Sequence, residues 1–187
     1  AKVWFLDVAD GSVLGTINIA TTGSLGAPLL TDANGDMVAE RLYVADTAGN
    51  LWAFDLGTNT NGSLTHESRV TTSDTAAPLF TATHAQGTTV TRQPITSPLS
   101  AVVDSKGVHT ILFGTGSFVW IGDNEVPSNA PRQSFYGIRD EKRAVATSHL
   151  LTQTITTHSV TLSSTAAKVR TLSEHAMNTN HRGWRVD

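Results

Sequence analysis

Apolar and polar positions alternate along this chain in short runs at residues 2–8, 41–45, 51–56, 109–113, 134–138 and 151–160. A two-residue period predicts β-strands, because successive strand side chains point to opposite faces. Clusters of Gly, Asn, Asp and Thr separate the runs and predict hairpin turns, most clearly at Asp10-Gly11 and Ala48-Gly49-Asn50. Helical periodicity is weak throughout, so strand after strand with short connections predicts an all-β fold.

The runs also repeat one another. Trp4-Phe5-Leu6-Asp7 returns as Trp52-Ala53-Phe54-Asp55, and more loosely as Tyr136-Gly137-Ile138-Arg139-Asp140 and Trp184-Arg185-Val186-Asp187. Trp4 and Trp52 stand 48 residues apart, as do Tyr136 and Trp184, and spacings of roughly 40–50 residues mark propeller blades. Other segments recur in step. Ala27-Pro28 through Asp32 matches Ser97-Pro98 through Asp104, and residues 42–46 match 111–115.

Each unit reads as a Pro-led apolar strand, an aromatic-rich strand, a hairpin, an aromatic-x-apolar-Asp strand and a Thr-rich outer strand. Residues 69–73 and 152–161 suit the outer position. Blades stacked between neighbours are apolar on both faces of their inner strands. The expectation is a partial or modified β-propeller of four-stranded blades with loop insertions, as a single unit over residues 1–187. Its blade parts fall at 1–24, 25–74, 97–162 and 183–187. Residues 81–96 and 123–133 read as insertions, and 165–182 as a flexible loop or short helical insertion. An ordinary β-sandwich is the alternative.

The 187 residues suffice for a sizeable core. The net charge is −3 without a basic run, which gives no electrostatic case for nucleic acid. No stretch reaches the ~18 apolar residues of a membrane span. The absence of cysteine excludes disulfides, thiolate metal sites and a Cys nucleophile. The start at Ala1 reads as a fragment lacking a processed end.

One cluster carries candidate chemistry: Asp32-Ala33-Asn34-Gly35-Asp36-Met37-Val38-Ala39-Glu40. Alternate positions of a tight loop converge, so Asp32, Asn34 and Asp36 are placed to meet at one point. Gly35 permits the turn. Glu40 closes the far side, and the Val38 carbonyl is placed to fill the gap. Hard oxygens in this number suit Ca²⁺, which takes 6–8 such ligands at flexible angles. Mg²⁺ demands a stricter octahedron, and Zn²⁺ prefers His or Cys, which the loop lacks. The EF-hand pattern is not met, since its closing Glu position holds Tyr43. A polar Asx-rich hairpin without an ion is the bland alternative.

Elsewhere the chemistry is sparse. Asp123-Asn124-Glu125 lacks cage spacing and reads as solvated loop, while Asp10-Gly11 and residues 46–50 read as hairpin chemistry. The histidines at 66, 84, 109, 149, 158, 175 and 181 lack metal-motif spacing and read as surface or strand residues. There is no G-x-S-x-G elbow. Gly114-Thr115-Gly116 is not a dinucleotide fingerprint, and Asn61-Gly62-Ser63 matches a glycosylation acceptor but is first a turn. No catalytic residue emerges.

The run from Asp32 through Glu40 into Arg41-Leu42-Tyr43-Val44-Ala45-Asp46-Thr47-Ala48-Gly49-Asn50-Leu51-Trp52-Ala53-Phe54-Asp55-Leu56 resembles the Ca²⁺ loop and adjoining hairpin of PilY/PilC-type proteins. These are type IV pilus biogenesis and tip-adhesin proteins of Gram-negative bacteria. Residues 111–116, 133–138, 150–155 and Gly183-Trp184 are similar to the same family.

The resemblance implies a modified β-propeller and a non-enzymatic, calcium-dependent role in pilus extension against retraction, twitching motility and adhesion. It implies pilin-like partners at the pilus tip, reached through periplasm and outer membrane, and host contact through an N-terminal region outside this chain. By position, the family's ligands fall on Asp32, Asn34, Asp36, the Val38 carbonyl and Glu40. Two departures stand out. Glu40 replaces a common Asp, and Met37 replaces a Gly that often follows the third ligand. Two other readings stand beside it: a quinoprotein-dehydrogenase-like propeller, which the Trp-x-x-Asp repeats also resemble, and a plain secreted propeller stabilised by calcium.

Overall fold

The computed structural model describes residues 1–58, 63–126, 128, 130–162 and 165–187. Asn61 and Gly62, the heart of the glycosylation match, lie outside the described residues. The architecture is all-β. Among the described residues the helical content is one 3₁₀ turn, Thr147–His149, and no helix is long and apolar enough to cross a membrane.

Strands β1 (Lys2–Leu6) and β2 (Val13–Asn18) form an antiparallel hairpin. The first large sheet holds β3 (Leu29–Thr31), β4 (Arg41–Ala45), β5 (Asn50–Thr58) and β6 (Leu64–Ser68), in that order and antiparallel. A small ladder, β7 (Thr71–Thr72) with β8 (Thr75–Ala76), follows, and β9 (Phe80–Thr81) returns to pair with β5. Strands β10 (Thr83–Gln86) and β11 (Thr89–Arg92) make a separate hairpin.

The second large sheet starts with β12 (Ser100–Val103), β13 (His109–Gly114) and β14 (Phe135–Arg139). The edge strand β15 (Leu151–Gln153) belongs to it, and β16 (Ile155–Leu162) with β17 (Thr165–Leu172) leaves it as a hairpin. The last strand, β18 (Gly183–Val186), fits between β14 and β15, antiparallel to the first and parallel to the second.

The repeat read from the sequence is a repeat of register. Val44 faces Trp52 and Leu42 faces Phe54 in the first sheet. Phe113 faces Tyr136 and Ile111 faces Ile138 in the second. Two-residue alternation then sorts the core. Tyr43, Ala45, Leu51 and Ala53 pack with Ile111, Phe113, Tyr136 and Ile138 between the sheets. Leu42, Val44, Trp52 and Phe54 turn the other way and pack on Ile17 of the first hairpin. The first sheet is therefore buried on both faces, as an inner blade requires. Trp4, the repeat's first tryptophan, is 56% exposed where Trp52 is 3% exposed. Its strand pairs with β2 alone, and its side chain faces away from the core that Val3 and Phe5 join.

Four segments differ from the sequence reading. Residues 183–187 are no separate blade part, because β18 occupies the fourth-strand position of the second sheet. Gly137 makes room for it: a Cβ there would lie within 2.8 Å of the Trp184 indole. The run 151–160 breaks at Thr154, which separates sheet strand β15 from hairpin strand β16. Residues 69–73 do not form the outer strand. That place belongs to β6, and Arg69 turns inward. Finally, residues 165–172 are strand β17, since their β-branched residues find an eight-pair partner in β16. Of the insertions, 81–96 carries the β10–β11 hairpin.

Candidate metal centre

The loop 32–40 joins β3 to β4. Pairing of Thr31 with Arg41 sets its neck, and the Glu40 N–H donates to the Thr31 carbonyl at 3.1 Å. The neck of the loop is thus held by the sheet. Within the loop, short acidic and amide side chains organise the backbone, as such residues do in turns. Asp32 Oδ1 accepts from the N–H groups of Asn34 (3.1 Å) and Gly35 (2.6 Å), and Oδ2 from Met37 (2.7 Å). Asp36 Oδ1 accepts from Val38 N–H at 2.8 Å. Glu40 Oε2 accepts from Ala33 N–H at 2.7 Å. Gly35 takes a φ of +81°, where a side chain would be strained.

These bonds turn carboxylates inward. One oxygen each from Asp32, Asp36 and Glu40 lies within 4.8 Å of the other two. That separation suits one cation with oxygens at about 2.3–2.6 Å. None of the three is ion-paired to Lys or Arg among the described residues. Asn34 sits beside them. Its amide nitrogen donates to Asp36 Oδ2 at 3.1 Å, and its Oδ1 accepts from Asp36 N–H at 2.9 Å. Val38 follows in the loop with its side chain in solvent. The donor set fits a hard cation. Burial acts to raise the Asp32 pKa, but the N–H groups of Gly35, Met37, Asn34 and Asp36 outweigh it and hold the carboxyl below its ordinary range.

Met37 is 95% exposed at a φ of +69°, the left-handed region that costs a side-chain residue about 1–2 kcal/mol. Met37→Gly relieves this and gives back part of the gain to unfolded-state entropy. A net stabilisation of up to about 1 kcal/mol is expected by chemical unfolding.

Two buried charged groups lie outside this loop. Arg69 is buried between the sheets, with Nε on Asp140 and Nη1 on Asp55. Tyr43 donates its hydroxyl to Asp140 Oδ2 at 2.7 Å, and Lys142 reaches Asp55 at 2.9 Å. Burial, then the negative Asp140, pushes the Tyr43 pKa up. The neighbouring Arg41 Nη1 meets His109 Nδ1. His109 is buried in β13, and burial followed by the Arg41 charge lowers its pKa. The repeat pointed to Asp55 and Asp140, but Arg69 lies 71 residues from its second partner, and no local pattern signals it.

Asp46 is the other. Read as turn chemistry, it is fully buried and accepts from Thr21 Oγ1 (2.7 Å), Trp52 Nε1 (2.9 Å) and Asn50 N–H (2.9 Å). Burial acts to raise its pKa, but these donors outweigh burial and lower it below 3.8. A lowered native pKa gives stability that is complete above the unfolded value and lost as pH falls through the native one. Thermal melts are therefore expected to decline below about pH 4, with a flatter acid limb in Asp46→Asn. Asp123 likewise organises its own turn, accepting from Ser117 Oγ, Val119 N–H and Trp120 N–H at 2.7–2.9 Å. Among the described residues, the one metal-compatible group of acidic or histidine side chains is Asp32, Asp36 and Glu40.

Comparison with known proteins gives one family. A model of the PilY1 β-propeller domain matches residues 1–171. The chain is 29% identical over 162 residues to type IV pilus biogenesis factor PilY1 of Pseudomonas aeruginosa strain UCBPP-PA14, covering 76% of this chain and 14% of that protein. It is 30% identical over 192 residues to a type IV pilus biogenesis factor PilY1 homologue of Xylella fastidiosa strain Temecula1, covering 96% of this chain and 14% of that one. The chain thus spans less than a fifth of these relatives. The crystal structure of the Pseudomonas aeruginosa PilY1 C-terminal domain matches with a TM-score of 0.76 at 26% identity, over 100% of this chain and 44% of that one.

Proposed function

This chain belongs to the PilY1 β-propeller family, and from that premise we propose that it is the calcium-binding propeller module of a type IV pilus biogenesis factor. The carrying observation is the convergence of Asp32, Asp36 and Glu40 within 4.8 Å without a cationic partner. Asp32, Asn34, Asp36, Glu40 and the Val38 carbonyl are the ligands in this reading, with water completing the shell of a Ca²⁺ ion. The bound ion neutralises the carboxylates and removes the repulsion among them. Asp32 and Glu40 flank β3 and β4, so a loop fixed at both ends secures the edge of the first sheet.

The relatives are named as type IV pilus biogenesis factors, which supports a place in pilus biogenesis; in this reading the module is non-enzymatic and meets pilin-like partners at the tip of an exported pilus. Calcium would then set the balance of pilus extension and retraction, and with it twitching motility and adhesion. The test is Asp36→Ala in the full-length protein, in cells that depend on it. Calcium affinity is expected to fall more than about tenfold, and twitching zones to shrink. Unchanged affinity together with unchanged motility sinks the proposal. Lost affinity with normal motility leaves calcium as a stabiliser only.

A further inference from the structure

Strands β16 and β17 pair through eight residues, from Ile155 with Leu172 to Leu162 with Thr165, and join no larger sheet. Most of the arm's described side chains are exposed. Isolated two-stranded hairpins are marginal in water, and free edges recruit further strands. The arm's chemistry is one-sided as well. Residues 155–172 contain no Asp or Glu in a chain whose net charge is −3. Cross-strand pairing puts Leu172, Arg170 and Lys168 on one face, opposite Ile155, Thr157 and Ser159. Neither Lys168 nor Arg170 has a carboxylate partner among the described residues.

At the root of that face lies an apolar cleft of about 290 Å³, lined by Phe135, Ile155, Leu172 and Val186 with Arg170 and Thr171 at its side. Read along the β17 edge, the arm therefore offers a cation, a second cation two residues on, and an apolar socket two residues further. We propose that the β17 edge docks an extended acidic strand of a partner protein. The partner's backbone adds to the hairpin as a third strand, its carboxylates lie against Lys168 and Arg170, and an apolar side chain enters the cleft. A second copy of β17 is the wrong occupant, because antiparallel addition would set cations against cations.

The test is fluorescence anisotropy on the full chain. The probe is a labelled peptide in which threonine alternates with two glutamates and a leucine, used in both sequence directions. A control carries lysines in place of the glutamates. The acidic peptide is expected to bind in one direction, to weaken as salt rises, and to lose affinity when its leucine becomes serine. Lys168→Glu with Arg170→Glu, both exposed and remote from the core, should reverse the preference toward the lysine peptide, with an unchanged circular dichroism spectrum. Equal binding of both peptides, binding of neither, or self-association through the arm would overturn the proposal. In the last three cases the two cations act simply as guards against edge aggregation.

Discussion

Arg69→Met is expected to destabilise the protein by about 3–5 kcal/mol, the cost of leaving a buried ion without its partner. Arg69 and Asp140 keep side-chain exposures of 2% and 0%, so water cannot replace the lost guanidinium. Asp140 would retain the Tyr43 hydroxyl as a donor, and Asp55 would retain Lys142. Asp140 therefore bears most of the loss. The pair itself is not the source of stability, since its Coulomb attraction is largely offset by desolvation. Arg69→Met combined with Asp140→Leu should thus recover much of the deficit, although Tyr43 then loses its acceptor at about 1 kcal/mol. Urea unfolding of the single and double variants measures this coupling directly. Additive losses would mean that the two residues do not act as a unit.

Phe80→Ala should cost a similar amount, about 3–5 kcal/mol, for a different reason. Phe80 is fully buried, with its ring 5.1 Å from that of Tyr136 and 6.4 Å from that of Phe113. It comes from β9, which pairs with β5 of the first sheet, while both neighbours belong to the second. One side chain therefore joins the two sheets, and its removal leaves a cavity that neither rigid sheet closes. Phe80→Leu keeps most of the volume and should cost about 1.5 kcal/mol or less. Calorimetric melts check both, with a shift of roughly 2–4 °C per kcal/mol for a chain of this size. If the alanine and leucine variants melt together, Phe80 does not wedge the sheets.

The inner strands were legible because their pattern is local. Alternation and the aromatic-x-apolar-Asp repeat placed Trp52 and Tyr136 at equivalent register positions, and Asp32, Asp36 and Glu40 on one loop. What escaped was set by distant partners. Trp184 carries the third-strand motif, yet the bare backbone of Gly137 draws it into the fourth position of the second sheet. Residues 165–182 read as a flexible loop or short helical insertion, and only pairing with β16 reveals 165–172 as a strand. Arg69 looked like part of an outer strand because its carboxylates arrive from β5 and from the segment just after β14. Met37 shows a departure read from resemblance becoming a physical one: its position adopts the backbone conformation that glycine prefers.

Calorimetric titration of the chelator-treated protein with Ca²⁺, beside the Asp32→Ala, Asp36→Ala double variant, tests the central proposal most directly. One-site binding to the wild type and none to the variant, with both folded, is the expected result. A folded wild type that takes up no calcium would contradict it, and would leave residues 32–40 as an Asx-rich turn.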